Sequence, residues 1–213
     1  PDAMATVVAE LVRHHEWTGT IGCAFPAVVR RGIVGSAANI DASWIDVDAD
    51  AVFTAAVGAE VHMINDADAA GLAEVRYGAG KGRGGVLMML TFGTGIGSGL
   101  FIDGVLVPNT ELGHLELDGV DAESRAAISA KKRDALTWEE WATRVERYLR
   151  HIEALFSPDL IIVGGGASKR SHKWLDEISI ETEIAVATLQ NNAGIVGAAI
   201  ISVDVAAAAE SRH

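Results

Sequence analysis

Three short apolar runs in this chain each end in a turn of small or acidic residues. Val61–Ile64 leads into Asn65-Asp66, Val86–Thr91 into a glycine-rich segment, and Leu160–Val163 into Gly164-Gly165-Gly166. Apolar runs of this length between turn residues predict buried strands. Because helical patterns lie between these strands, the order indicates an α/β fold with substantially parallel pairing. Ligands of such folds bind at the carboxyl ends of the strands, where these turns lie.

The remaining patterns predict the other helices and strands. Apolar residues at helical spacing, with Asp48 as one cap, predict helices over Ala3–His15, 48–57, Ala67–Arg76, Ala122–Ala130, Trp138–Phe156 and Ala193–Ser202. Further strands are expected at Thr20–Phe25, Val28–Arg30, Ile33–Gly35, Leu100–Ile102, Val105–Val107 and Ile184–Ala187. We expect the tail Ala206–His213 to fray. Two lobes, 1–85 and 86–213, are predicted, with the boundary in the loop that ends at Gly85.

Composition and charge exclude several classes of function. An apolar fraction of 49% with 23 glycines is typical of a compact protein. The net charge of −12 argues against a nucleic-acid partner, and it requires any polyanionic substrate to find a local basic patch. The single cysteine, Cys23, excludes an intrachain disulfide and a cysteine-cluster metal site, so we expect a cytoplasmic protein. No apolar run approaches the ~20 residues of a membrane span, so no membrane partner is expected.

Asp66 is the first candidate for catalysis. A sugar hydroxyl becomes a good nucleophile when a positioned carboxylate accepts its proton. Asn65 beside it is suited to hydrogen-bond a neighbouring hydroxyl and so orient the sugar. The alternative is that Asp66 only caps the helix that follows. Asp68 is expected to bond the backbone of that helix's own first turn.

The glycine-rich segment after the second run is the candidate phosphate site. Glycines on alternate residues leave the backbone N–H groups accessible to an anion, and the alternative is a tight turn between two strands. The segment matches neither of the two common glycine-rich nucleotide motifs, G-x-x-x-x-G-K-[ST] and G-x-G-x-x-G. The candidate residues are Thr91, Gly93, Thr94, Gly95 and Gly97, with Gly165 and Gly166 as a weaker second turn.

Three further groups of polar residues are candidates. Glu111 and His114, three residues apart, are both suited to contact sugar hydroxyls, although a lone histidine is often structural. Asn39 is another possible sugar contact, or a turn residue. Basic side chains that a long polyanion would contact, or that form a solvated surface, are Lys81, Arg83, Lys131, Lys132 and Arg133.

Together these motifs resemble the ROK family of sugar kinases and repressors. The matching segments follow the family's order and approximate spacing: Asn65–Ala70, Phe92–Gly97, Glu111–His114 and Val163–Gly166. The resemblance implies an actin-like, ribonuclease-H-like fold of two lobes. The sugar would lie between the lobes and the phosphoryl donor near the glycine turns.

The resemblance also implies a role for each candidate residue. Asp66 would be the catalytic base, and glucose would be held by Asn39, Asn65, Glu111, His114 and Glu123. Thr94 and Gly95 would contact the donor phosphates, with Gly165 and Gly166 at the far end of the donor. Members of the family need Mg²⁺ and usually form homodimers.

Within the family, the sequence most resembles the actinobacterial branch that uses polyphosphate to phosphorylate glucose. Ala37–Ile40, Val107–Glu111 and Leu189–Gly197 carry this likeness. Many relatives have a cysteine-rich zinc loop after the histidine, and since no cysteine follows His114, we expect no zinc. The family also opens with an Asp-x-Gly-Gly-Thr phosphate loop, which this sequence does not contain. We therefore expect the first lobe to be incomplete at its N-terminus.

The function that the sequence favours is transfer of a phosphoryl group to the 6-hydroxyl of glucose, with inorganic polyphosphate as donor and ATP as a second possible donor. The alternative among enzymes is an ATP-dependent kinase for glucose, mannose or a related hexose. A different class is a non-catalytic sugar-sensing regulator. The acidic charge and the absence of a helix-turn-helix pattern count against that class.

Overall fold

The computed structural model describes residues 1–38 and 40–210. Its helices are α1 Asp2–His14, α2 Ala49–Val57, α3 Asp66–Tyr77, α4 Glu123–Ala126, α5 Ile128–Arg133, α6 Trp138–Phe156 and α7 Ala193–Glu210. Its strands are β1 Ile21–Phe25, β2 Val29–Arg30, β3 Ile33–Val34, β4 Val61–Asn65, β5 Val86–Phe92, β6 Ile96–Ile102, β7 Val105–Val107, β8 Glu116–Leu117, β9 Val120–Asp121, β10 Leu160–Gly164 and β11 Ile184–Val186. None of the described helices combines the length and the apolar character that crossing a bilayer requires.

Two sheets form the framework. The large sheet has the order β11-β10-β5-β6-β7, and the small sheet pairs β1 with β4. The pairs β1–β4, β10–β5 and β10–β11 are parallel, as predicted. The pairs β5–β6 and β6–β7 are antiparallel, because tight turns at Gly93–Gly95 and Asp103-Gly104 reverse the chain. The sheet is therefore mixed where the sequence predicted mostly parallel strands.

Aromatic packing covers one face of the large sheet. Phe92 on β5 is fully buried and lies edge-on to Trp141, Tyr148 and Trp174, with ring centroids 6.0–6.3 Å apart. Two of these rings belong to α6, which begins with a capping box between Thr137 and Glu140. This face of the sheet is consequently a rigid base for the turns at its carboxyl edge.

Helices α3 and α7 cover the other face and connect the two sheets. A Cβ atom on Gly197 of α7 would overlap the carbonyl oxygen of Ala69 in α3, and one on Gly22 of β1 would overlap the carbonyl oxygen of Ala198. Glycine is required at both positions because the backbones are in contact. The C-terminal helix thus packs against elements from the first half of the chain, and the division at residue 85 stays a prediction.

Two predicted helices differ from the structure. The segment predicted as one helix over Ala122–Ala130 is two short helices, because Ala127 is extended with a ψ of 157°. Extension there lets Ser129 at the start of α5 bond the glycine turn, through its N–H to the Gly93 carbonyl and its hydroxyl to the Thr94 carbonyl. The C-terminal helix continues to Glu210 rather than ending at Ser202, and the expected fraying from Ala206 stays a prediction. Residues 211–213 of that tail lie outside the described residues.

Candidate active site

The first turn of α3 decides the role of Asp66. The side-chain oxygen of Asn65 accepts hydrogen bonds from the N–H groups of Ala67 and Asp68, at 2.9 and 3.1 Å, so Asn65 is the cap. Its amide nitrogen donates to the carbonyl of Ala27 at 3.1 Å, which fixes this buried side chain. Asn65 therefore keeps one N–H for a ligand, and the alternative of Asp66 as the helix cap is wrong.

Asp66 presents an exposed carboxylate where two cavities meet. Partial burial in these walls reduces the hydration of the carboxylate and so raises the pKa of Asp66. Hydrogen bonds from the N–H groups of Ala67 and of Asp66 itself oppose that rise. Asp66 is therefore placed to accept a proton from a ligand in either cavity.

The larger of these two cavities has a volume of about 740 Å³ and is called the main cleft here. Most of the predicted sugar-binding residues line it. Asn65, Asp66, Glu111, His114 and Glu123 all line it. Its lining also includes all five phosphate candidates of the first glycine-rich segment, Thr91, Gly93, Thr94, Gly95 and Gly97, of which residues 93–95 form the phosphate turn. Ser36 and Ala38 line the cleft too, whereas Asn39 lies outside the described residues. The volume is in the range of small-molecule sites.

Glu111, His114 and Glu123 form one acidic group with a histidine inside it. His114 Nδ1 lies 3.0 Å from a carboxylate oxygen of Asp121, and this hydrogen bond raises the pKa of His114. Its Nε2 lies 4.0 Å from Glu111 Oε2. Since a carboxylate only accepts, Nδ1 carries a proton, and Nε2 is left on the side of Glu111. Burial, with the charges of Asp66 and Glu123, raises the pKa of Glu111, while His114 lowers it.

The phosphate turn is a three-residue hairpin with bare N–H groups. Gly93 N–H donates to the Gly95 carbonyl at 2.9 Å, and Glu123 accepts from the Ile96 N–H at 3.0 Å. A Cβ on Gly95 would overlap the Glu123 carboxylate. Among the hydrogen bonds of the described residues, none uses the N–H of Thr94 or of Gly95. Gly97 lies inside β6 rather than in the turn, and it still lines the cleft.

The smaller cavity, here the side cavity, opens beyond Asp66 and measures about 300 Å³. It shares Asp66, Ala67, Thr91 and Gly165 with the main cleft. Gly165 has a φ of +73°, and a Cβ there would lie 2.8 Å from the backbone of Phe92, so glycine is needed. Gly166 is exposed next to it and does not line the side cavity.

The other walls of the side cavity include Lys169, Gln190 and Asn191, to which the sequence assigned no role in the site. Ser168, at the end of the second glycine turn, and the first turn of α7 also line it. Fully buried Glu74 of α3 accepts hydrogen bonds from the Leu189 N–H at 2.7 Å and the Thr188 hydroxyl at 3.2 Å. The helix that carries Asp66 thereby also holds the loop that forms the far wall.

Asp68 holds the loop before Glu111 instead of its own helix. It is 1% exposed, and its Oδ2 accepts the N–H of Asn109 at 2.7 Å. The Asn109 side chain in turn bonds both the N–H and the carbonyl of Val29, each at 2.8 Å. The expectation that Asp68 bonds its own first turn is therefore wrong. The pair ties β2 to the loop that leads to Glu111.

Replacing Asp68 by Asn is expected to make the protein more stable above neutral pH. Asp68 Oδ1 has no partner within the described residues, and burial, then the charges of Glu111 and Asp66, raise the pKa of Asp68 to about 7. The folded protein then keeps a proton that the unfolded chain releases, so stability falls as pH rises from about 4 to about 7. That loss is at most on the order of 4 kcal/mol, and Asn avoids it while still accepting from Asn109.

Urea unfolding at pH 4 and pH 8 measures this effect. The Asp68→Asn variant should gain over the wild type at pH 8 and lose that gain towards pH 4. An equal difference at both pH values would show that Asp68 does not titrate in this range.

The basic candidates lie in different places. Lys81 and Arg83 precede β5, a strand of 7 residues, so about 20 Å separates them from the phosphate turn at its other end. Arg83 is also paired with Glu183 at 2.6 Å. Lys131 donates to the Leu136 carbonyl and lies over the Trp138 ring, and Arg133 pairs with Asp134. Lys81 and Lys132, both exposed, have no side-chain partner within the described residues. The structure thus brings neither run together with the side cavity.

Comparisons with known proteins agree with this geometry. The sequence profile described as "ROK family" matches residues 1–127. The chain is 50% identical over 204 residues to a polyphosphate glucokinase of Mycobacterium tuberculosis (strain CDC 1551 / Oshkosh), a match that covers 95% of this chain and 77% of that protein. A glucokinase of Streptomyces coelicolor is 28% identical over 269 residues, covering 93% and 84%.

Solved structures give the same result for the fold. The crystal structure of the inorganic polyphosphate/ATP-glucomannokinase from Arthrobacter sp. strain KM aligns with a TM-score of 0.88 at 52% identity, covering 94% of this chain and 81% of that one. A ROK family glucokinase from Streptomyces griseus, in complex with glucose and AMPPNP, aligns with a TM-score of 0.79 at 25% identity, covering 94% and 86%. The predicted actin-like α/β fold is confirmed by these alignments.

Proposed function

The chain belongs to the ROK family, and on that basis we propose that it transfers a phosphoryl group from inorganic polyphosphate, with ATP as a second donor, to the 6-hydroxyl of glucose. The observation that carries the proposal is the position of Asp66. Its carboxylate lies on the wall shared by the main cleft, with its proposed sugar contacts, and the side cavity, which small and polar residues line together with Lys169. An acceptor alcohol and a phosphoryl donor would meet at that wall.

The main cleft supplies the sugar contacts in this proposal. Glu111 and Glu123 accept hydrogen bonds from hydroxyls, His114 Nε2 faces a further hydroxyl, and the free N–H of Asn65 donates to another. Such a set orients the ring so that only one hydroxyl reaches Asp66. Asn39 remains a predicted sugar contact.

The chemical step then follows from the placement of the charges. Asp66 accepts the hydroxyl proton while the alkoxide oxygen forms a bond to the terminal phosphorus and the bond to the leaving phosphate breaks. The N–H groups of Thr94 and Gly95 stabilise charge on the transferred group. Gly165 leaves space for the donor's next phosphates in the side cavity.

We propose that Mg²⁺ enters together with the donor. In phosphoryl-transfer sites this ion is held mostly by substrate phosphates and water, with few protein ligands. Asp66 and Thr91 are the two side chains with oxygen atoms that line both cavities, and with Asp66 assigned to the proton, Thr91 offers the remaining hydroxyl oxygen. When bound, the ion would neutralise charge on the phosphates. The absence of zinc stays a prediction.

A coupled assay of glucose 6-phosphate formation tests the proposal. We expect turnover with glucose and polyphosphate, and a second, separately measured rate with ATP. An ATP-dependent hexokinase or mannokinase is the second candidate, which the 52% identity to a polyphosphate/ATP-glucomannokinase favours. Turnover with ATP alone would support that candidate. Glucose binding without turnover on either donor would instead indicate a sugar-sensing regulator.

We also propose that the protein works in the cytoplasm as a homodimer, without a nucleic-acid or membrane partner. The single cysteine supports the cytoplasmic location, and the net charge of −12 supports the lack of a nucleic-acid partner. Sedimentation velocity at micromolar concentration tests the dimer, and a single monomer boundary would contradict it.

A further inference from the structure

A basic segment begins at the edge of the side cavity. Residues 168–173, Ser-Lys-Arg-Ser-His-Lys, follow directly after the Gly164–Gly166 turn and form a short 3₁₀ segment. Lys169 lines the side cavity, and Arg170, His172 and Lys173 are exposed beyond it. The segment is therefore a continuation of the cavity wall into solvent.

The fold holds this segment in place at both ends. At its start, the Ser168 hydroxyl donates to the Gly165 carbonyl at 2.8 Å, and the Ala167 N–H donates to the Phe92 carbonyl at 3.2 Å. At its end, fully buried Trp174 donates through its indole N–H to the Ala167 carbonyl and packs on Trp141. The basic side chains thus project from a backbone that is fixed relative to the glycine turns.

The charges of this segment are not neutralised by the protein. Several arginines elsewhere are held in ion pairs: Arg76 with Asp204, Arg83 with Glu183, Arg133 and Arg144 with Asp134, Arg147 with Asp118, and Arg150 with Glu146. Within the described residues, Lys169, Arg170 and Lys173 have no acidic group within 4.0 Å. In a chain of net charge −12, cations without an acidic partner beside the cavity proposed for the donor attract a polyanion that the rest of the surface repels.

We propose that residues 168–173 form an outer donor subsite, which binds the phosphates of a polyphosphate chain beyond those held in the side cavity. The inference rests on the proposed function, since it concerns the path of that function's donor. Lys169 makes the first contact with the chain at the edge of the side cavity, and Arg170 and Lys173 bind phosphates farther along it. ATP has no phosphates to place there, so the subsite acts only on long donors.

The double variant Arg170→Gln/Lys173→Gln tests the subsite, because these residues lie outside the cavity that both donors use. The KM for long-chain polyphosphate is expected to rise roughly three- to tenfold at low salt, and its salt dependence to weaken. The KM for ATP and for tripolyphosphate should stay within about twofold. The matched control is Arg13→Gln/Lys81→Gln, which removes the same charge from exposed positions on α1 and at the other end of the large sheet.

Binding of long-chain polyphosphate, measured by calorimetry, separates this inference from the proposed function. If the double variant binds polyphosphate as tightly as the control does, the subsite is refuted even where the wild type uses polyphosphate as donor. A rise in KM that is equal for ATP also refutes it. If the wild type binds polyphosphate through these residues but does not turn it over, the subsite stands and the proposed donor is wrong.

Discussion

Replacing Asp66 by Asn is expected to lower kcat/KM for glucose by about 10²- to 10⁴-fold, the usual contribution of a positioned general base. The amide has nearly the same shape as the carboxylate and cannot accept the hydroxyl proton. The helix cap is not lost, because Asn65 provides it. The dissociation constant for glucose should therefore stay within about threefold, since the proposed sugar contacts include Glu111, His114 and Glu123, which this substitution leaves in place.

The pH profile gives an independent check of this assignment. In the wild type, kcat/KM should fall as pH falls through the pKa of Asp66, which burial holds above its usual value of 3.8. The residual activity of the Asn variant should lack that acid limb. Asp46→Asn is the matched control, because Asp46 is exposed, lines neither the main cleft nor the side cavity, and has a φ of 62° that Asn tolerates. If Asp66→Asn keeps more than about a tenth of the wild-type rate, the base lies elsewhere.

The sequence predicted the strands that carry the site but not the division of roles among its polar residues. Asn65, Asp66 and Asp68 are all residues that cap helices, so sequence alone left the cap open. The cap is Asn65 because its amide also reaches the carbonyl of Ala27, a contact between residues 38 positions apart. Such contacts depend on how distant segments meet, which local patterns do not encode.

The same reason explains the residues that the sequence reading missed. Asp121 orients His114 and lies in none of the motifs recognised in the sequence. Asn109 lies in the recognised segment Val107–Glu111, but its link between Val29 and Asp68 joins residues that are far apart in the sequence. Lys169 did carry a signal, because four basic side chains in five residues follow the Gly164–Gly166 turn. The uninterrupted run Lys131–Arg133 is the stronger basic signal in the sequence. In the fold, however, Lys131 lies over the Trp138 ring and Arg133 pairs with Asp134.

Gly197→Ala is expected to cause the largest loss of stability among the small substitutions considered. A Cβ there would overlap the carbonyl oxygen of Ala69, and backbone on both sides leaves no flexible side chain to move. Overpacking of this kind costs about 1–3 kcal/mol or more and exceeds the ~1 kcal/mol that Ala gains over Gly in a helix. At roughly 2–4 °C per kcal/mol, the melting temperature should fall by several degrees.

Gly194→Ala, three residues earlier in the same helix, is the matched control. Nothing lies within 4 Å of a Cβ at that position, so only the helix preference acts and stability should rise by up to ~1 kcal/mol. Opposite signs for the two variants in urea unfolding would establish that α3 and α7 touch along their backbones.

The same contact bears on catalysis, because α3 begins with Asp66 and a displaced helix would move the carboxylate from the wall between the two cavities. Equal stabilisation by both substitutions would mean that the two helices are farther apart than described, and that another contact fixes the position of Asp66.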